Sequence, residues 1–475
     1  MTAHSIGDAA AATGPRNSEV ASHDRHPVDS DPAGAAPVQK SQFARTVGGL
    51  ATMNGALFVA ALVTGPLQAH ALGPTGRGEV ADILVPTSLT AIIAEFGLGT
   101  YAMREAARGR PSGVLLGTIG SMLFAIGLLV AVASEGLAAL LVGHRHPVFA
   151  LLTIGFMLVP VGLLTNLAVG MCAGLQRWRA YSLARLIPPI GTAVLVGGLF
   201  VAGWVSVTTV AALSFLLGAL ALIPVLVAVR DGGPVRFDRT VAREGLSFGF
   251  RYWLGSLLGT TSSQIGMLVM IRLAGPAQVG LYVVAQNVAG STDMVSSAVF
   301  GAIFPRVANG DHELAARACR MTILIVGAVS VVGAVAAPIA LPIVFGPRFQ
   351  GSVELVEILL FATVASAAST VLGSFLTAAG RPGILAFDDI IALALGVPGL
   401  IVILPLLGVL GAALVMAISA AVGLSILLFF SSRVGGIPMW RFIVVGPADL
   451  AWAWDRVPRR FKALPVRLRL RPGLS

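Results

Sequence analysis

Twelve apolar stretches of about 20 residues or more follow one another through this chain, separated by short polar connections. They fall at 46–69, 82–103, 112–133, 149–173, 183–203, 206–229, 247–271, 279–304, 320–344, 354–379, 384–404 and 408–430. A helix rises 1.5 Å per residue, so each of them can cross the ~30 Å hydrocarbon core of a bilayer. Inside that core every backbone N–H and C=O must be paired within the protein, which leaves helices for segments of this kind. Of the 475 residues 56% are hydrophobic and only 11% charged, against roughly 25% charged in a soluble domain. A soluble fold could not hide that much apolar surface. The sequence therefore predicts an all-α integral membrane protein with about 12 transmembrane helices.

The formal charge is +10, but the basic residues are scattered through short loops, as membrane topology requires, and nucleic acid is not an expected partner. With the N-terminus inside, the inward loops hold Arg104, Arg108, Arg110, Arg177, Arg179, Arg185, Arg230, Arg236, Arg239, Arg243, Arg306, Arg317, Arg320 and Arg381. The outward loops hold only Arg77, Arg145, Arg272 and Arg348. That bias places both termini in the cytoplasm. Cys172 and Cys319 make neither a disulfide framework nor a metal site and read as small buried hydrophobes.

The expected organisation is a disordered cytoplasmic tail over 1–41, a first six-helix bundle over 42–230, a cytoplasmic linker over 231–246, a second bundle over 247–430 and a basic cytoplasmic tail over 431–475. The halves share an echo. Gly73-Pro74-Thr75-Gly76-Arg77-Gly78 follows the first span and Gly275-Pro276-Ala277-Gln278-Val279-Gly280 the seventh, both Gly-Pro-x-x-x-Gly on outward loops. A third copy, Gly346-Pro347-Arg348-Phe349-Gln350-Gly351, follows the ninth span, and Gly-Pro turns are common punctuation. Equal position within the halves is the stronger argument for a repeat.

Several of these segments carry a resemblance. Ala71-Leu72-Gly73-Pro74 through Ala81, Glu95-Phe96-Gly97-Leu98-Gly99 and Arg104-Glu105-Ala106-Ala107-Arg108-Gly109 resemble the opening of polysaccharide flippases. These are O-antigen-translocase-type members of the multidrug/oligosaccharidyl-lipid/polysaccharide exporter superfamily. Gly174-Leu175-Gln176-Arg177-Trp178, Leu273-Ala274-Gly275-Pro276 with Gly280-Leu281-Tyr282, and Phe345-Gly346-Pro347-Arg348-Phe349 with Leu376-Thr377-Ala378-Ala379-Gly380-Arg381 are similar to that family too. The resemblance spans 42–430. It implies two six-helix bundles forming a V around a central cavity, and a lipid-linked sugar as cargo. Family members often carry an acid late in the seventh span; here Ser263-Gln264-Ile265-Gly266 stands there.

Moving a polar head group through hydrocarbon needs a polar cavity, positive charge for phosphate and two alternating states. Intramembrane polar residues are the candidates. Glu95 lies in the second span with Ser88, Ala91 and Gly99 on its face. It reads as an ion- or proton-coupling site, or else as a protonated acid bonded to a neighbouring helix. Asp293 in the eighth span is the second ion-coupling candidate. Arg251, Tyr252, Ser256, Thr260 and Ser263 on the seventh span, with Asn287 on the eighth, are the substrate-binding candidates. Arg suits phosphate because its fork bonds bidentately. The Ser and Thr stripe is equally well read as helix–helix glue.

There is no Walker A run and no cluster with metal-ligand spacing in the sequence, so neither cofactor nor metal is expected. The expected function is a flippase that moves a lipid-linked oligosaccharide or polysaccharide precursor across a bacterial cytoplasmic membrane by alternating access, coupled to an ion, without enzymatic chemistry. Expected partners are the lipid-linked glycan, membrane lipids and glycan-assembly glycosyltransferases or a polymerase. A multidrug cation antiporter of the same superfamily would need a more aromatic, acidic cavity. A membrane glycosyltransferase or polymerase would need a sizeable catalytic loop, and no loop exceeds roughly 16 residues, far short of the ~50 of a small domain.

Overall fold

The computed structural model describes residues 37–141, 148–292, 312–381, 383–444 and 446. Residues 1–49 and 50–475 separate into two compact units, and the apolar cores all lie in the second. Among the described residues there is helix and no strand. The elements are α1 (Pro37–Ala94), α2 (Leu98–Ala107), α3 (Ser112–Leu141), α4 (Val148–Met157), α5 (Val159–Gly174), α6 (Trp178–Ala202), α7 (Val207–Leu220) and α8 (Leu222–Val229). After a short extended segment come α9 (Arg239–Leu273), α10 (Pro276–Gly290) and α11 (His312–Phe345). A 3-10 turn (Pro347–Ser352), α12 (Val353–Ala378), α13 (Gly383–Gly435) and α14 (Trp440–Ile443) complete the described chain.

Two of these helices fold back on themselves. Gly73 leaves helical geometry at φ 66°, a conformation that glycine adopts without a Cβ penalty. Arg77 donates a hydrogen bond to Gln68, nine residues away. On one straight helix those residues would sit ~13.5 Å apart along the axis and on opposite faces. The chain therefore reverses at Gly73. Gly408, at φ 60°, does the same in α13. A Cβ at Gly411 would lie 2.7 Å from Ile403 Cγ2, and one at Gly399 would lie 3.1 Å from Val415 Cγ1. These are the cross-pairs of an antiparallel hairpin.

Counted end to end among the described residues, seven helices are long and apolar enough to span a bilayer, or eight with α4 and α5 taken as one span bent by 45°. α13 contains two of the twelve stretches read from the sequence, and α1 contains the first and the larger part of the second, 82–103, which breaks at 95–97 and ends in α2. Of α9, the described apolar part Gln264–Leu273 is a shorter apolar helix and is not among the seven. The eighth stretch is described only as far as residue 292.

Two large apolar cores run through the described residues. One is built from α2, α3, α5 and α8, with Leu115, Ile119, Leu163, Leu167 and Val225 fully buried. Another joins the end of α9 to α10, α12 and α13 through Met270, Val279, Val356 and Leu400. α9 belongs to both. Its Val241 is buried in the first core and its Met267 and Ile271 in the second.

Candidate functional site

The α1–α2 junction is where the two halves meet along α9. Phe96 has φ 48°, rare for a residue with a bulky side chain, and Gly97 follows at φ 65°. The kink lets backbones approach closely. A Cβ on Gly97 would lie 2.6 Å from the Gly249 carbonyl oxygen, and one on Gly249 would lie 2.5 Å from that of Phe96. The Phe96 and Trp253 rings stack with centroids 4.5 Å apart, and Trp253 Nε1 donates to the Ile93 carbonyl at 3.1 Å. Those contacts hold α2 and the first half of α9 side by side.

Between them opens a cavity of about 1030 Å³. Five arginines line it, Arg104, Arg108, Arg110, Arg243 and Arg251, against two acids, Glu105 and Glu244. The surplus is three positive charges. Glu105, only 7% exposed, ties three of the arginines together. Arg108 Nη1 is 3.0 Å from Oε1, Arg110 Nε 3.4 Å from Oε2 and Arg104 Nε 3.8 Å from Oε1. Arg110 Nη1 and Tyr101 Oη both donate to Glu244 Oε2 at 2.9 Å. These hydrogen bonds, Arg110's first, hold the Glu244 carboxyl below the usual carboxylate range. Arg104 also lies 4.8 Å from the Phe248 ring centroid, within cation–π range. Arg243 and Arg251 make no ion pair among the described residues, so two guanidinium forks stay open toward the cavity.

The segment that leads into α9 is also held in place. Residues 232–238 lie along the start of α3. The Gly113 N–H donates to the Gly232 carbonyl at 3.2 Å, and the Asp238 N–H donates to Thr118 Oγ1 at 2.9 Å. A side chain on Gly113 or Gly117 would collide with the carbonyls of Gly233 or Arg236. Asp238 then caps α9 by accepting from the Thr240 N–H at 2.7 Å, and that bond with Val241's lowers its carboxyl pKa.

The sequence candidates divide. Arg251 and Tyr252 both line this arginine-rich cavity. Ser256, Thr260 and Ser263 lie on α9, but their side chains are outside the described residues, as is Asp293 entirely. Asn287 lines a different cavity, of about 710 Å³, between the first stretch of α1, α10 and α11. The two sets separate because α9's first half leans on α2, while α10 packs on α12 and the 3-10 turn. Glu95 sits at the break between α1 and α2 rather than within a continuous helix, its Oε1 lying over Gly99 in the first turn of α2.

Sequence reasoning missed three things. Arg77, read as an outward-loop residue, is only 8% exposed. Arg104, Arg108 and Arg110, read as topology markers and turn residues rather than as a site, form one wall of the cavity. The signal available for the docked linker was Gly113, Gly117 and Thr118 on one face of α3.

The sequence matches the polysaccharide biosynthesis protein family over residues 43–310. No curated protein matches it in sequence. Among solved structures the fold is similar to the lipid II flippase MurJ in an inward closed conformation. The TM-score is 0.70 at 13% identity, over 85% of this chain and 91% of that one. It is also similar to an inward-facing multidrug resistance MATE family transporter of the MOP superfamily, with TM-score 0.62 at 15% identity, over 80% and 95% of the two chains. The MATE multidrug transporter DinF-BH gives 0.55 at 15%, over 84% and 96%. At these identities the likeness carries the fold alone, while the family match covers more than half of the sequence: the chain belongs to the polysaccharide biosynthesis protein family.

Proposed function

We propose that this protein is a flippase that carries a lipid-linked oligosaccharide across the membrane by alternating access, and that the cavity between α2 and α9 receives the phosphate of the cargo on the cytoplasmic face. One observation carries the reading. Five arginines contributed by both sides of the α2–α9 contact outnumber the acids by three, and Arg243 and Arg251 are free of ion pairs among the described residues. Arginine forks bind phosphate oxygens bidentately. A cationic drug, the cargo of the multidrug reading, would meet repulsion at the same place. The moving bodies are taken as 42–230 and 247–430, with Glu95 and Asp293 as the acids that couple movement to an ion. The membrane is the bacterial cytoplasmic membrane, with both termini on its inner face.

The test is a vesicle assay. Purified protein is reconstituted with a phosphate-linked lipid oligosaccharide bearing a fluorophore on the sugar, and a membrane-impermeant reductant quenches the outer leaflet. Wild type should add a second, slower quench as inner-leaflet cargo emerges. Losing a charge-assisted hydrogen bond costs about 1.5–3 kcal/mol, or roughly ten- to a hundredfold. Arg251→Ala should slow the second phase by about that factor, with Arg251→Lys in between and Arg272→Ala close to wild type. A second phase absent from wild type, or unchanged in Arg251→Ala, sinks the reading.

A further inference from the structure

Arg77 poses a different question. It follows the Gly73 reversal and is buried, yet no acid pairs with it among the described residues. Glu79 and Asp82, its nearest acids in sequence, make no ion pair with it. Gln68 accepts one hydrogen bond from Arg77 Nη1, and Arg77 Nε is buried without a partner among the described residues. A buried guanidinium with an open donor is costly unless something completes it. The side chain lines the 710 Å³ cavity together with Gln68, Gln286 and Asn287. The last two carboxamides are exposed into it. The hydroxyls of Thr64 and Ser291, also on its wall, are already donated to the carbonyls of Ala60 and Val288. No carboxylate is among its described lining residues. Cationic fork, amide donors and no carboxylate among the described lining residues together suit one ligand chemistry, an oxyanion.

Its place matters. Arg77 and Gly97 stand at opposite ends of the segment that runs from the Gly73 reversal to the α1–α2 break, about twenty residues or ~30 Å of helix apart. Gly97 abuts the arginine-rich cavity, and Arg77 lies in the Gly-Pro turn at the far end. We propose that Arg77, with Gln68, Gln286 and Asn287, forms a second oxyanion site that takes the phosphate of the cargo at the end of the path opposite the α2–α9 cavity. This rests on the flippase reading. The first cavity accepts the phosphate, and the second holds it before release, so the charged group is not left unpaired in hydrocarbon between the two.

The probe is farnesyl diphosphate, a soluble lipid diphosphate, with methyl glucuronide as the arm for a sugar carboxylate. The reporter is Asn287→Cys, labelled in the purified full-length protein with a water-soluble maleimide. Both native cysteines are buried and give little background. Arg243→Gln and Arg251→Gln are added to remove the first site. Farnesyl diphosphate should protect the reporter while Arg77 is intact. Arg77→Gln should raise the concentration for half protection at least tenfold, with Arg77→Lys in between. Absence of protection with Arg77 intact overturns the site, and needs no folded Arg77 variant to be seen. Unchanged protection in Arg77→Gln overturns the role of Arg77. Protection by methyl glucuronide and not by farnesyl diphosphate overturns the phosphate assignment. If wild type carries the labelled oligosaccharide in vesicles but the reporter is unprotected, this inference fails and the flippase reading stands. Protection without transport sinks the flippase reading instead.

Discussion

Glu244 shows how the α2–α9 contact depends on single charges. It receives hydrogen bonds from Arg110 and Tyr101, and its carboxyl is held below the usual range. A depressed folded pKa means that the contribution is complete above the unfolded value, ~4.3 for Glu, and is lost as pH falls through the folded value. Glu244→Gln should therefore melt earlier than wild type near neutral pH in detergent, and the two curves should converge as the pH falls through the depressed folded value. A gap that persists in acid would mean that shape rather than charge matters at this position. Arginines such as Arg108 and Arg110 were visible in the sequence, but their grouping was not. The residues that complete the cavity, Thr240 through Tyr252, lie more than a hundred positions further on. Arg77 was misread for a related reason. An arginine beside Gly-Pro reads as a loop residue, and only the reversal at Gly73 turns it inward against Gln68.

α9 is packed in both large cores, and the segment before it is fixed to α3 by close backbone approach at glycines together with the Thr118 hydroxyl. Such a seat is nearly silent in a sequence, because a glycine needed for backbone approach looks like any other glycine. The apolar periodicity of α3 was legible; that Gly113 and Gly117 face the carbonyls of residues 233–236 was not. The contact is backbone, so a larger side chain cannot be accommodated by a rotamer change, and Gly117→Val must lift the strap. Limited proteolysis with trypsin should then cut after Arg236 markedly faster than in wild type, with α3 itself unaffected. Equal cleavage rates would show that the strap is held elsewhere, at Thr118 or by the Asp238 cap.

At the scale of the whole molecule, the echo between Gly73–Gly78 and Gly275–Gly280 becomes a physical contact. A Cβ on Gly78 would collide with the Pro276 carbonyl, and one on Gly280 with the Pro74 carbonyl. Each turn uses its last glycine to admit the proline of the other, so the two halves close on one another through equivalent positions. The third Gly-Pro turn sits beside the first, with a Cβ at Gly346 3.7 Å from His70 and one at Gly73 3.5 Å from Arg348. The motif was readable in sequence, but its reciprocity was not, because repeat spacing does not say which copies touch. If alternating access is the mechanism, this seam must open once per cycle. A valine at either glycine meets backbone carbonyl and can be relieved only by parting the turns. Overpacking of this kind costs about 1–3 kcal/mol, enough to shift a two-state equilibrium by about 5- to 150-fold. Gly78→Val and Gly280→Val should each raise maleimide labelling of Asn287→Cys from the face carrying the Gly-Pro turns, and each should slow transport of the fluorescent cargo. Both lesions act on one contact, so the double variant should be little worse than either single one. Unchanged labelling in both single variants, or full additivity in the double, would mean that the Gly-Pro turns are fixed packing and that the protein opens along another seam.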